Sequence, residues 1–388
     1  MEFDDAYNTD VSIILDILER NGINNIISTK NKKKLYDDIY EAFNYVDSKI
    51  GTVKFHKLKF NQFRIIQHGR YFSKQSHSKA FSKDMTQILT KFKINDRDIE
   101  ICFGISDEKK YNKKLLNENV RIMSAVLYIC GKYALKQCSK TLQILILMLD
   151  DVKLLPSKST LTIGSNNVNS GYSYVCERDN EIVVYRSEEW FKVFIHEAFH
   201  AYGLDGILNI NSASDDVKKL FNVNSTMSLG EAYVETWARI INTSISSFIK
   251  TENFISFSKL LDFSIEIDSY FAVLQSTKIF GLMGLNYNNV CNNDSSISRH
   301  IYKEDSNVFS YYVLTSILMS SIDDFLSWCT QNNDQLLRFG ETNKEIKSFT
   351  AVISNIYKSE NMLSIIEKVK HIPYHRGLRM SIIDVQNI

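Results

Sequence analysis

Residues 193–202 read Val193-Phe194-Ile195-His196-Glu197-Ala198-Phe199-His200-Ala201-Tyr202, and the rest of the chain takes its place around them. They contain H-E-x-x-H. Histidines at i and i+4 lie one turn apart on a single helical face, so both imidazoles can reach one metal ion. The glutamate beside the first histidine is placed to take a proton from water on that ion. Histidine is otherwise scarce here, eight in 388 residues. The flanking positions 193–195, 198, 199, 201 and 202 carry no charge and no proline. This is what a metal-binding helix packed into a core requires. The alternative is an ordinary helix with two interior histidines.

The surroundings fit a helix. Residues 181–186 (EIVVYR) are rich in β-branched and aromatic types and read as a short strand. Ser187 is offered as N-cap, with Glu188 and Glu189 in the first turn, where the helix dipole favours negative charge. Gly203 is offered as the stop, because glycine adopts the left-handed conformation without a Cβ clash. The helix is expected over about 188–202.

Two histidines do not complete a zinc site, which in enzymes takes three protein ligands and leaves a position for water. The nearest downstream carboxylates in a helical context are Glu231 and Glu235 in Ser228-Leu229-Gly230-Glu231-Ala232-Tyr233-Val234-Glu235. At i and i+4 they share a face. One can ligate the ion while the other accepts the free ring N–H of a ligating histidine. The plainer alternative makes Ser228 and Glu231 a capping box and Glu235 an ion-pair partner of Arg239.

On these residues the chain resembles the zincin metallopeptidases, and among them the gluzincins, whose pattern is H-E-x-x-H followed by E-x-x-x-D/E on a later helix. The resemblance covers about residues 182–240. It implies one zinc ion held by His196, His200 and Glu231, with Glu197 as general base and Glu235 behind the ligands. Residues 201–230 make a longer gap than in many gluzincins. They leave room for a short helix over 212–221, with Ser212 and Asp215 as a capping box. The metzincin pattern H-E-x-x-H-x-x-G-x-x-H/D is the rival. Gly203 matches its glycine and Met227 its later methionine, but Gly206 stands at the ligand position and Asp205 is one residue early.

Oxyanion stabilisation needs a further donor. Tyr374, His375 and Arg376 have suitable side chains, the alternative being a surface turn with an ion pair.

Composition sets the outer limits. The chain is long enough for a large core and more than one subdomain. It is 44% hydrophobic and 23% charged, with a formal net charge of +1. That balance predicts no general attraction to polyanions. Residues 48–83 are the local exception, with nine Lys/Arg, no Asp or Glu, and His56, His68 and His77 interleaved with aromatics. Such a stretch would suit a nucleic-acid face. A solvated strand face paired with acids elsewhere is favoured, and no nucleic-acid partner is expected. Six cysteines without close spacing are expected to stay as separate thiols in a reducing compartment. The acidic start, Met1-Glu2-Phe3-Asp4-Asp5, lacks the order of a signal peptide, and no apolar run is long enough to span a bilayer. An intracellular location is therefore expected.

The expected fold is α+β: a mixed-sheet N-terminal lobe with the active-site helix, then a mainly helical C-terminal lobe. Region 1–115 is taken as α/β, 116–208 as the lobe carrying H-E-x-x-H, and 209–388 as the helical lobe supplying the third ligand. Helices are expected over 11–20, 33–47 and 117–137, and strands over 53–67, 98–105, 141–148, 161–164 and 171–176. The run 141–148 is apolar throughout, so it suits a strand buried on both faces. Segment 171–175 is the candidate edge strand for an extended substrate. The function so implied is zinc-dependent hydrolysis of a peptide or protein. The competing readings are a catalytically silent zincin-fold binding or structural protein, and a nucleic-acid-associated protein.

Overall fold

The computed structural model describes residues 2–58, 79, 85–105, 112–158, 162–206, 214–292, 297–333, 335–340 and 342–385. The chain forms two compact units and visits each more than once. One comprises Met1–Lys33, Lys153–Val168 and Asp205–Ile383, the other Lys34–Val152, Asn169–Leu204 and Asp384–Ile388. The architecture is mixed helix and sheet.

The second unit holds a six-stranded mixed sheet of β1 (His56–Leu58), β2 (Thr86–Ile94), β3 (Arg97–Ile105), β4 (Thr141–Leu147), β5 (Gly171–Ser173) and β6 (Asp179–Val184), in the order β1-β2-β3-β4-β6-β5. β4 lies parallel to both its neighbours, β3 and β6. Its residues Leu142, Ile144, Leu145, Ile146 and Leu147 are buried, the pattern of a central strand covered on both faces. Leu145, Leu147, Val183 and Tyr172 pack on one face with Met85, Leu89, Cys102, Leu149 and Tyr185. Alternate residues of the strands point the other way. The helices Lys113–Tyr133 and Trp190–Ala201 pack against each other, and Trp190–Ala201 also lies against β5 and β6. β5 is an edge strand, paired antiparallel to β6 alone.

β2 is a strand that hydrophobic patterning passed over. It forms a hairpin with β3 through Asn95-Asp96, and Asn95 takes the left-handed conformation at φ 52°. Asparagine tolerates that conformation, so the turn had a sequence signal. Of the strand expected over 53–67, only His56–Leu58 is seen, and 59–67 lie outside the described residues. The expected strand over 161–164 is corrected: Ile163 makes one isolated bridge to Glu304. The helix expected over 117–137 begins earlier, at Lys113, because the Asn112 side chain accepts from the amides of Lys114 and Leu115.

The first unit is helical. Phe254–Leu282, 29 residues long, packs against the helices Glu2–Asn21, Leu229–Ile249, Thr315–Ser320 and Glu360–Val369. Neighbours on so many sides explain why its apolar residues are spread around the axis. No helix among the described residues is long and apolar enough to cross a membrane.

The cysteine reading is corrected. Cys138 and Cys176 form a disulfide, and only Cys102, Cys130, Cys291 and Cys329 remain as thiols. The pair is 38 residues apart in sequence, with no motif to announce it, yet the fold brings the two Cα atoms to 4.4 Å. Alkylation under denaturing, non-reducing conditions should label four cysteines, rising to six after reduction. Six labels without reductant would refute the bond.

Candidate functional site

The H-E-x-x-H segment is a helix, Trp190–Ala201, in which every residue is buried. It starts later than expected. Ser187 is not the N-cap: its amide donates to Leu149 O, and its carbonyl accepts from the amide of Trp190. Glu189 precedes the helix in the left-handed conformation, φ 56°, so neither Glu188 nor Glu189 lies in the first turn.

The C-terminal end does follow the glycine. Gly203 has φ +64°, its amide donates to His200 O, and the amide of Leu204 donates to Phe199 O. This pair of bonds is a Schellman closure. Neighbouring loops satisfy more of the terminal carbonyls. The amide of Cys176 donates to His200 O, and the Ser139 hydroxyl and Asn180 side-chain amide both donate to Ala201 O. The disulfide sits on the same glycine. A Cβ on residue 203 would meet Cys176 Cβ at 2.9 Å and Cys138 Sγ at 3.3 Å. Gly203→Ala combines a backbone penalty with that contact. It should cost about 1–2 kcal/mol, read as a lower urea midpoint at unchanged slope.

On this anchored helix His196 and His200 are 7% and 6% exposed, and their Nε2 atoms are 3.2 Å apart. Two nitrogens bound at zinc distances in a tetrahedral site stand roughly 3.3 Å apart. The pair therefore already has the bite of a metal site. His196 and His200 belong to the sheet-bearing unit, and Glu231 to the helical one.

Glu197 is 8% exposed. The hydroxyl of Ser173, on β5, lies 2.8 Å from Glu197 Oε2 and 3.0 Å from Glu197 O. Nearby, burial above all raises the phenol pKa of Tyr185; the charge of Arg186 opposes this and that of Glu197 adds to it. Tyr185 is thus a neutral hydroxyl across the physiological range.

Glu231 and Glu235 lie on the helix Leu229–Ile249. Ser228 is its N-cap, accepting from the amide of Glu231. The reciprocal half of a capping box is not made, since the amide of Ser228 donates to Ser310 Oγ. Glu235 is buried, with Oε1 3.5 Å from Arg239 Nε, and Arg239 also faces Asp268 Oδ2 at 3.4 Å.

The other expected residues fall as follows. Asp205 is buried, and Gly206 has φ +58°, where a Cβ would meet Phe339 Cδ1 at 2.9 Å, so that glycine has a backbone reason of its own. His375 Nε2 is 2.7 Å from Asp10 Oδ2, which also pairs with Lys278 at 3.0 Å; Arg376 donates to Leu155 O. Tyr374 is exposed. This is the geometry of an ion-paired turn. Burial lowers the pKa of the Lys278 ammonium, and Asp10 opposes that. Most of the basic segment 48–83, including His68 and His77, lies outside the described residues. Its Lys79 pairs with Asp150 and Asp151.

Ser173 was missed by sequence reading, because its contact joins a strand to a helix 24 residues on. Gly171 was the available signal, since a strand glycine often marks close backbone approach. The chain matches no protein-family profile, and no curated protein or solved structure is significantly similar to it.

Proposed function

We propose that the protein is a zinc-dependent peptidase in which His196, His200 and Glu231 hold one zinc ion and Glu197 is the general base. The observation that carries the reading is the buried Nε2 pair, 3.2 Å apart, on the helix that also bears Glu197.

Zinc bound there would acidify water and polarise a scissile carbonyl. The chain's own residues do the rest. Glu197 takes the proton of the attacking water and returns it to the leaving amine. Glu235 is assigned the task of orienting a ligating imidazole through its ring N–H. An extended peptide substrate would add to the sheet along β5, whose outer edge has no strand beside it among the described residues.

The expectation of an intracellular, reducing location loses its cysteine argument with the Cys138–Cys176 bond.

The test is metal analysis of untagged protein purified without chelator, alongside digestion of a peptide library. One zinc per chain, and cleavage abolished by chelation and restored by zinc, are expected. With no metal found, the 3.2 Å contact would be a hydrogen bond within a neutral imidazole pair, and the proposal would fall.

A further inference from the structure

Glu197 sits on a helix, and a carboxylate on three rotatable bonds does not face one way unless something holds it. β5 supplies the hold. In a strand, residues i and i+2 face the same side. Tyr172 belongs to the cluster on one face of the sheet. Gly171 and Ser173 therefore face the other side, where the Trp190–Ala201 helix lies. Two separate observations follow from that facing. The first is the hydroxyl of Ser173, 2.8 Å from Glu197 Oε2. The second is the absence of a side chain at residue 171. A Cβ there would stand 2.9 Å from Val183 O, 2.9 Å from Val193 Cγ1 and 3.1 Å from Glu197 Cγ. One of these atoms is backbone and cannot swing away. Gly171 thus lets the strand come close enough for Ser173 to reach the carboxylate.

We infer that Ser173 is a positioning residue for Glu197, holding Oε2 by a hydrogen bond so that the carboxylate keeps one orientation, with Gly171 as the spacer that makes the reach possible. The inference rests on the peptidase reading for its consequence, not for its geometry. The Ser173 proton stays on Oγ throughout. The hydroxyl orients the base and is not itself a proton carrier in the reaction. The contact with Oε2, at 2.8 Å, is shorter than the 3.0 Å from the same hydroxyl to the Glu197 carbonyl oxygen. Misplacing a catalytic group by about 1 Å can cost up to about a hundredfold in rate.

The experiment compares full-length wild type with Ser173→Ala, Ser173→Thr and Gly171→Ala. For Ser173→Ala, kcat should fall about tenfold or more, with KM and zinc stoichiometry unchanged. Ser173→Thr, which keeps the hydroxyl, should restore most of kcat. Gly171→Ala should lower kcat although Ser173 is intact, and combining it with Ser173→Ala should be no worse than the more damaging single change. Crystal structures of zinc-free wild type and Ser173→Ala give a readout independent of turnover, in which the Glu197 carboxylate should leave its wild-type rotamer once the hydroxyl is gone. An unmoved Glu197, or an unchanged kcat, overturns the inference. Failure of the peptidase reading looks different. It would show as absent zinc, or as full hydrolysis by Glu197→Gln, with the Ser173–Glu197 contact still measurable in the crystals.

Discussion

Glu197→Gln should leave zinc bound at full stoichiometry and lower kcat/KM by about 10²–10⁴-fold, the usual contribution of a positioned general base. The substitution conserves shape and removes the carboxylate's capacity to take a proton. Glutamine can still accept from Ser173 through its amide oxygen, so the local packing at an 8%-exposed position should survive. The loss belongs in kcat more than in KM, because the missing interaction is made only in the transition state. The measurement is steady-state kinetics on a peptide found in the library digest, with zinc content read on the same samples. Hydrolysis at the wild-type rate would remove Glu197 from the role of base.

His200→Ala should abolish both metal and activity, and so differs from the first variant in kind. In the proposed site three ligands become two, and an open two-ligand site does not hold zinc against dilution and washing. The change also removes a buried imidazole whose neighbours remain packed around it. A modest loss of stability of about 1–2 kcal/mol is expected from the vacated volume. Folding is checked by circular dichroism, metal by elemental analysis. A His200→Ala protein that folds, keeps one zinc per chain and cleaves peptide would show that His200 is no ligand.

The parts of the site visible in the sequence are those governed by local periodicity. The spacing of His196 and His200 fixes their common face once a helix forms, and the apolar flanks supply the helix. Gly203 was legible for the same reason, since a left-handed stop is a property of one residue. Ser228 was legible as an N-cap, but whether Glu231 completed the box was not. That depended on Ser310, whose hydroxyl takes the amide the box would have used. The start of the H-E-x-x-H helix was misread because Ser187 is tied to Leu149, a partner that only the folded sheet supplies. The disulfide and the Ser173 contact belong to the same class. Each joins segments whose meeting depends on strand order, and the order β4-β6-β5 is not a local property. β2 was overlooked although Asn95-Asp96 signalled its turn and Phe92 and Ile94 alternate with Lys91 and Lys93 before it.

The discontinuous path of the chain has a practical consequence for anyone dissecting the gene. A fragment beginning after Lys33, or ending before Lys153, deprives the helical body of a segment it is built with, and one ending at Leu204 removes most of that body outright. Truncation series, the usual route to a minimal active piece, should therefore yield insoluble products at nearly every internal boundary. Point substitutions and short surface insertions are the better scalpel.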